Sequence, residues 1–250
     1  MWIPFAVKET VPTLDHGSRF PNRAVMLHTA VTSVNDLYAY YKNSGTSIGA
    51  HLYVAKDGTL YQYVDTARQC YHAFDANTWT FGIETWDNSD PAHTPWTEAQ
   101  LNTIVKVLVL HDIPAQPLAC LPSNGVGYHR QCDSWNKSKH SCPGDPRVAQ
   151  VPLIIARLKE EYMALDALAK DLGTDSSRLK HALLELLGIA SRVQGTGRPV
   201  NATVAEGFDW AAKADAPAGP HNHDLVYSKL GHGHAVPAHG HAVTATGTAK

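Results

Sequence analysis

Strand-like and helix-like patterns alternate along the first two thirds of this chain, and no other feature of the sequence limits its fold as much. Apolar runs at residues 23–28 and 81–86 have the length and composition of buried strands. Residues 97–111 and 151–172 carry apolar side chains at helical spacing. Interleaved strands and helices are typical of a sheet with helices packed on it. The sequence therefore predicts an α/β domain with a central β-sheet over residues 1–165.

Short local signals place individual elements within this domain. Asp57-Gly58 lies between two alternating segments rich in β-forming residues, a pattern that predicts a β-hairpin. Thr97 is followed three residues later by Gln100, which predicts a capping box at the start of a helix. Ser33 is expected to cap an earlier, shorter helix. Residues 114–127 are expected to form a long loop after the capped helix.

Composition and charge argue against several classes of function. The formal net charge is −2 and the pI is near 6.7, so the chain lacks the basic field of proteins that bind nucleic acid. No run of about 18 apolar residues occurs, so we expect no insertion into a membrane. The first residues lack the basic start of a signal peptide. Without a secretion signal, the four cysteines are expected to be free thiols or metal ligands rather than disulfides.

The stretch from residue 127 to residue 146 concentrates side chains that bind metals. It holds two imidazoles, two thiols and two ammonium groups within twenty residues. Its proline–glycine and aspartate–proline pairs are typical of a loop. Such a loop holds a catalytic metal, a structural metal or no metal, and the rest of the chain must supply the remaining partners.

Two sets of ligands are compatible with this stretch. Catalytic zinc takes three protein ligands and leaves its fourth position for water. His28 follows a predicted strand, and with His129 and Cys142 it forms one such set, although a histidine there is also compatible with a core position. A closed structural site of Cys120, His129, Cys132 and Cys142 is the main alternative, but its spacing lacks the paired cysteines of common structural sites. Ordinary loop residues without a metal are the third interpretation.

The pattern changes at Gly173, and the catalytic domain is expected to end at residue 165. Residues 166–198 are expected to form a helical segment, with a short helix over residues 175–188, and a linker. Residues 199–250 are rich in alanine, glycine and histidine and contain three His-x-His pairs. Alternate residues of a strand face the same side, so such pairs from several chains could chelate a metal and assemble a homo-oligomer. A polar tail without regular structure is the other interpretation.

The first 165 residues contain six short motifs: His28, Gly49-Ala-His51-Leu-Tyr-Val54, Lys56-Asp-Gly-Thr-Leu-Tyr-Gln62, Tyr71-His72-Ala73, Phe81-Gly-Ile-Glu84, and Tyr128-His129 with Cys142-Pro-Gly144. Together they resemble the type-2 N-acetylmuramoyl-L-alanine amidases, the peptidoglycan-recognition-protein-like family. Each motif is weak alone, but all six occur in the order of the family. The resemblance implies a central mixed β-sheet with helices packed on it. It also implies hydrolysis of the amide bond between N-acetylmuramic acid and L-alanine in bacterial peptidoglycan.

The resemblance assigns the metal and the base. His28, His129 and Cys142 match the family's Zn²⁺ ligands. Glu84 lies between apolar neighbours and faces either solvent or a site that raises its pKa. It matches the residue that serves the attacking water as general base in one branch of the family. Ala50 stands where some members have a catalytic tyrosine, which gives Glu84 more weight.

The remaining site residues are less well defined by the resemblance. The position two residues before the third ligand often carries Lys or Thr and helps to hold the oxyanion, but here it is His140, with Lys139 beside it. Either side chain is a candidate donor. His51, His72 and Asn77 are candidate substrate-binding residues, because the family pattern places them beside or over the site. Structural roles are equally compatible with these three.

The sequence resembles a phage endolysin in particular, because it lacks a signal peptide and carries an extra C-terminal region. An endolysin would stay in the host cytoplasm until lysis and then act on the cell wall, and its C-terminal region would bind the wall or mediate self-association. Three alternatives remain: a non-catalytic peptidoglycan-binding relative, a virion-associated structural protein with a wall-degrading domain, and a cytoplasmic recycling amidase. Non-catalytic relatives usually lack part of the zinc triad, and all three positions are filled here.

Overall fold

The computed structural model describes residues 1–20 and 23–176, together with residues 178, 179 and 182. Within these residues, six strands form one sheet in the order β1-β4-β3-β5-β2-β6. Strands β3 and β4 pair antiparallel, and the other neighbours pair parallel. The strands are β1 Val7–Lys8, β2 Ala24–Leu27, β3 Leu52–Val54, β4 Leu60–Gln62, β5 Phe81–Thr85 and β6 Gly125–Tyr128. The predicted mixed sheet is confirmed.

Three α-helices accompany the sheet in the described part of the chain. They are α1 Tyr38–Ser44, α2 Glu98–Leu110 and α3 Asp145–Asp171, and short 3-10 turns occur at Pro12–Leu14, Phe74–Ala76 and His129–Gln131. Helices α2 and α3 contact each other, and their apolar side chains form one core cluster with those of β2, β3 and β5. None of the described helices is long and apolar enough to span a membrane.

Strand β2, which lies between β5 and β6, is buried on both faces, which explains its unbroken apolar sequence. Val25 and Leu27 pack in the cluster with α2 and α3. Ala24 and Met26 point to the opposite face, where they pack against loop residues that include Trp79. Residues that follow β2 at its carboxyl end are therefore held by packing on both sides of the sheet.

Several predicted local elements are confirmed. The hairpin forms as β3 and β4, and Gly58 adopts a φ of +86° in its turn. The capping box at α2 is present, with Thr97 accepting from the amide of Gln100. The prediction that Ser33 caps the first helix is wrong: this helix begins at Tyr38, and the carboxylate of Asp36 accepts from the Tyr38 amide at 2.6 Å.

Two boundaries were wrong. The end of the predicted loop at 114–127 belongs to β6, which pairs with β2 despite carrying two glycines. A Cβ at Gly127 would lie 2.7 Å from the Leu118 side chain, so the close approach of that segment requires glycine. Helix α3 begins at Asp145 and not at residue 151, with a proline in its first turn, where no backbone donor is lost. Most of the helix expected at 175–188 and all of residues 199–250 lie outside the described residues.

The expectation of free thiols or metal ligands is wrong for two of the four cysteines. Cys120 and Cys132 form a disulfide, while Cys70 and Cys142 are free. Sequence spacing did not indicate the pair, because the two residues come together only through the packing of the segment before β6 on the segment after it. The closed structural zinc site is therefore excluded, since two of its three proposed thiolates, Cys120 and Cys132, are oxidised to each other.

Candidate metal centre

Three neighbouring parallel strands deliver three polar side chains to the same edge of the sheet. Leu27 of β2 pairs with Ile83 of β5 on one side and with the last residue of β6 on the other. The next residue along each strand is His28, Glu84 or His129, respectively. Carboxyl ends of parallel strands at a point where strand order jumps along the chain are the usual place for a ligand site.

Cys142 joins this edge from the segment before α3. The ligand atoms of His28, His129 and Cys142 all lie within 4.8 Å of one another. The Cys142 sulfur is 3.8 Å from His28 Nδ1, and the Thr29 amide donates to that sulfur at 3.3 Å. The Arg130 amide donates to the Cys142 carbonyl at 3.0 Å, which ties the segment of Cys142 to that of His129.

The three side chains fit a zinc ion. His129 Nε2 is buried and has no hydrogen-bond partner, an unusual state for a ring nitrogen in a protein interior. Two imidazoles and one thiolate are a known type of catalytic zinc ligand set, and they leave a net charge of +1 on the site. A bound Zn²⁺ would satisfy the unpartnered nitrogen and leave a fourth position for water.

A second histidine fixes the ring of His28. His28 Nε2 lies 3.0 Å from His72 Nδ1, and His72 Nε2 lies 3.4 Å from the Thr80 carbonyl oxygen. Because a carbonyl only accepts, we assign the His72 proton to Nε2, and His72 Nδ1 then accepts from His28 Nε2–H. The lone pair of His28 is thus left on Nδ1, which faces Cys142. Outer partners of this kind orient metal-binding histidines.

Gly82 makes room for this arrangement. A Cβ at Gly82 would lie 2.8 Å from His72 Nδ1, so any larger residue would displace the imidazole from the sheet. The glycine of the Phe-Gly-Ile-Glu motif therefore serves the metal centre through His72. Sequence reasoning did not identify this role, because a glycine in a strand pattern gives no sign of what lies against it.

Burial sets the protonation of the ligands. It lowers the pKa of His28 well below the usual range, with neighbouring histidines acting in the same direction. The pKa of His129 falls to about 4, first through burial and then through the charge of His140. Both rings are thus neutral at neutral pH, as metal binding requires. Burial raises the pKa of Cys142 well above its usual value, and the charge of Glu84 adds to this, so the thiol ionises only as a cation joins it.

Glu84 has the surroundings of an acid–base group. Its Oε1 lies 4.0 Å from His28 Nδ1, its side chain is 17% exposed, and its Oε2 is buried without a hydrogen-bond partner. Burial, followed by the charge of Asp87, raises the pKa of Glu84 to about 8. A carboxyl group with a pKa near neutrality can both take up and return a proton at physiological pH.

The two candidate oxyanion donors differ in their placement. The His140 ring is exposed and lies 5.8 Å from the His129 ring, and Asn136 hydrogen-bonds both the amide and the carbonyl of His140 at 2.9 Å. Lys139 instead pairs with Asp133 at 2.6 Å on the surface. The geometry therefore favours His140 over Lys139.

The three candidate substrate-binding residues all have hydrogen-bond partners inside the protein, and their assignment to substrate stays a prediction. His51 is fully buried, with its ring nitrogens bonded to the Gly82 amide and the Arg68 carbonyl. His72 lies behind His28. Asn77 accepts from the amide of His72 at 2.8 Å and from the amide that follows it, so its side chain supports the loop.

Comparison with known proteins places the chain in a family. Residues 17–145, just over half of the chain, match the Amidase_2 family, described as N-acetylmuramoyl-L-alanine amidase. A search of curated proteins found no match.

Similar solved structures include an amidase, an endolysin and PGRP-SA. N-acetylmuramoyl-L-alanine amidase LysC from Clostridium intestinale URNW has a TM-score of 0.46 and 21% identity, over 62% of this chain and 97% of the other. A mutant endolysin from Bacillus subtilis has a TM-score of 0.45 and 20% identity, over 61% and 97%. PGRP-SA from Apis mellifera has a TM-score of 0.46 and 14% identity, over 58% and 93%. On the strength of the family match, this chain belongs to the N-acetylmuramoyl-L-alanine amidase family.

Proposed function

We propose that this chain is a zinc-dependent hydrolase that cleaves the amide bond between N-acetylmuramic acid and L-alanine in peptidoglycan. The single observation that carries the proposal is the convergence of His28, His129 and Cys142 within 4.8 Å, beside the carboxyl group of Glu84. Membership of the amidase family supports the same reaction and substrate.

Zn²⁺ held by His28, His129 and Cys142 would supply a Lewis acid for the amide carbonyl and lower the pKa of a water molecule to about 7. Glu84 would remove a proton from the attacking water as its oxygen adds to the carbonyl carbon of the lactyl group. The same carboxyl group would then return that proton to the nitrogen of L-alanine as the carbon–nitrogen bond breaks. One water is consumed, its hydroxyl becomes part of the new carboxyl group, and its other hydrogen goes to the new amine; after the carboxyl proton passes to the amine, the products are a carboxylate and an ammonium group.

His140 is the proposed donor to the oxygen that becomes negative during this reaction. Its exposed ring lies beside that of His129 and is free to turn toward a bound substrate. A donor aimed at a developing oxyanion contributes typically 10²–10³ in rate. Lys139 would replace it only by leaving its ion pair with Asp133.

His72 supports the chemistry without touching the substrate. It holds the proton on His28 Nε2 and keeps the Nδ1 lone pair directed toward the metal position. Asn77 in turn holds the backbone of His72. This chain of contacts keeps the first ligand in one orientation before any metal arrives.

We further propose that the protein acts as a phage endolysin, released from the host cytoplasm to the wall at lysis, with residues 199–250 as a self-association or wall-binding element. Truncation near residue 170 tests that element: unchanged mass, unchanged activity on whole walls and unchanged activity on soluble fragments would contradict both roles. Co-purification with intact virions would favour a virion-associated protein. Failure to clear intact walls would favour a recycling enzyme.

The experiment that tests the reaction is removal and return of the metal. Chelation should abolish release of L-alanine amino termini from peptidoglycan, and Zn²⁺ should restore it. Full activity in demonstrably metal-free protein would contradict the proposal. Tight binding of peptidoglycan without any cleavage, in protein loaded with Zn²⁺, would identify a non-catalytic relative instead.

A further inference from the structure

Asp87 is a fully buried carboxylate that lies three residues beyond Glu84 and organises the segment after His28. One of its oxygens accepts from the Thr29 hydroxyl at 2.6 Å and from the Val31 amide at 3.0 Å. The other accepts from the Thr32 amide at 2.7 Å and from the amide of residue 89 at 3.0 Å. Three of these four donors come from the residues directly after His28.

The contacts of Asp87 hold a backbone that would otherwise relax. Val31 has a φ of +50°, a conformation that β-branched residues rarely adopt. Such strain persists only where the surroundings enforce it, and it clusters at functional sites. The Thr29 amide in this segment also donates to the Cys142 sulfur. Asp87 therefore influences two of the proposed ligands. It holds the backbone that follows His28, and the Thr29 amide of that backbone donates to the sulfur of Cys142.

Arg147 provides a matching buried cation on α3. It is fully buried, and its Nη2 donates to the Trp86 carbonyl at 3.2 Å while its Nη1 donates to the Pro143 carbonyl at 3.4 Å. Its Nε is buried without a partner. Burial lowers the pKa of Arg147, and the charge of Asp87 opposes that shift. The guanidinium thus connects the end of β5 to the residue that follows Cys142.

We propose that Asp87 and Arg147 are positioning residues that set the distance between the segments of His28 and Cys142, and so determine how tightly the site binds a divalent cation. The inference rests on the proposed zinc site. Burying two charges has a large desolvation cost, so uncharged residues would link these segments at a lower cost in free energy if folding alone required the link. Neither residue touches the ligand atoms, and both act through backbone groups next to them.

The test measures the affinity of the full chain for Zn²⁺ by competition with a chelator, and records the visible spectrum of the Co²⁺ form, which reports ligand geometry. Asp87→Asn is isosteric but presents an amide NH2 to two of the four donors. Arg147→Met keeps the apolar volume and removes both bonds. We expect the Zn²⁺ affinity of each variant to fall 10–100-fold, which is the usual effect of removing a residue that supports the metal ligands. We also expect the Co²⁺ spectrum to change.

Two matched controls separate this effect from general destabilisation. Arg157→Met removes an arginine of the same helix that pairs with Glu98 at 2.8 Å, away from the site. Asp57→Asn removes the charge of a side chain in the β3–β4 hairpin that accepts a hydrogen bond from the Thr59 amide at 2.9 Å. Both controls should keep Zn²⁺ affinity within about twofold of the wild type and leave the Co²⁺ spectrum unchanged.

The outcomes are separable. Wild-type affinity and spectrum in folded Asp87→Asn and Arg147→Met would overturn this inference and leave the proposed function intact. Absence of Zn²⁺ binding by the wild-type chain would overturn the proposed function and this inference with it. If Arg147→Met does not fold, Arg147→Lys replaces it. The lysine keeps the positive charge but offers one donor nitrogen in place of the two that Arg147 uses. A loss of affinity of about tenfold supports the inference, and an unchanged affinity contradicts it.

Discussion

His28 Nε2 lies 3.0 Å from His72 Nδ1, so the ring of the first predicted ligand is held by a histidine that faces away from the metal position. This contact gives His72, a candidate substrate-binding residue, a structural role in orienting a proposed metal ligand. It also explains why a strand residue, Gly82, must lack a side chain.

Replacement of His72 by glutamine should weaken the binding of Zn²⁺. The variant loses the imidazole Nδ1 that keeps the proton on His28 Nε2, and the amide of glutamine can donate to that nitrogen as well as accept from it, so both tautomers of His28 become populated. We expect a 10–100-fold loss of Zn²⁺ affinity, measured by chelator competition. His93→Gln is the control, because that ring is 83% exposed and pairs only with Asp90. Equal Zn²⁺ affinities in the two variants would show that His72 does not contribute to metal binding.

The variant Glu84→Gln should separate metal binding from catalysis. The amide retains the shape of the side chain but cannot accept the proton of the attacking water. We expect one Zn²⁺ per chain and a fall in turnover of at least about 10², the usual contribution of a general base. The control is Glu98→Gln, whose carboxylate is 72% exposed. Near-normal turnover in Glu84→Gln would show that another group is the base.

The cysteines should divide into one ligand and one structural pair. Cys142→Ser should lower the zinc content, measured by elemental analysis of purified protein. The double variant Cys120→Ser with Cys132→Ser should retain one Zn²⁺ per chain, but it should lose about 2–4 kcal/mol of unfolding free energy, because the unfolded chain is no longer closed into a loop. The opposite pattern of zinc loss would mean that the wrong thiol was assigned.

Acid should destabilise the protein through its buried neutral histidines. Burial lowers the pKa of His51 to about 3, whereas the unfolded chain should titrate near 6.5. The unfolded state therefore binds more protons between pH 6.5 and 3, so unfolding free energy falls as pH falls through that window. His51→Gln should reduce this slope by up to about 1.4 kcal/mol per pH unit, measured by denaturant unfolding of metal-free protein. An unchanged slope would show that His51 is not titrated on unfolding.

Much of this site could be predicted from residue type and position. His28 follows an apolar strand, and His129 and Cys142 lie in a loop dense in ligands, so a metal centre was a reasonable hypothesis before any fold was known. The hairpin and the capping box depend on short-range chemistry, and both formed as expected. The hairpin and the capping box are each determined by residues that lie within a few positions of one another in the sequence.

The remaining features depend on distant contacts that no local pattern encodes. Arginine is among the residue types least often buried, yet Arg147 is fully buried in the packing of α3. Cys120 and Cys132 are joined because the strand between them returns the chain to the same place. His51 was expected beside substrate, yet the sheet encloses it completely. The burial of these side chains and the pairing of these cysteines depend on tertiary packing.

The central claim is that one bond, the amide between N-acetylmuramic acid and L-alanine, is cleaved. Mass analysis of peptidoglycan digested by the Zn²⁺-loaded chain tests this most directly, with the Glu84→Gln variant as the inactive control. We predict new L-alanine amino termini beside intact glycan strands. Shortened glycan strands, or cleavage within the stem peptide with the muramoyl–alanine bond intact, would contradict the account.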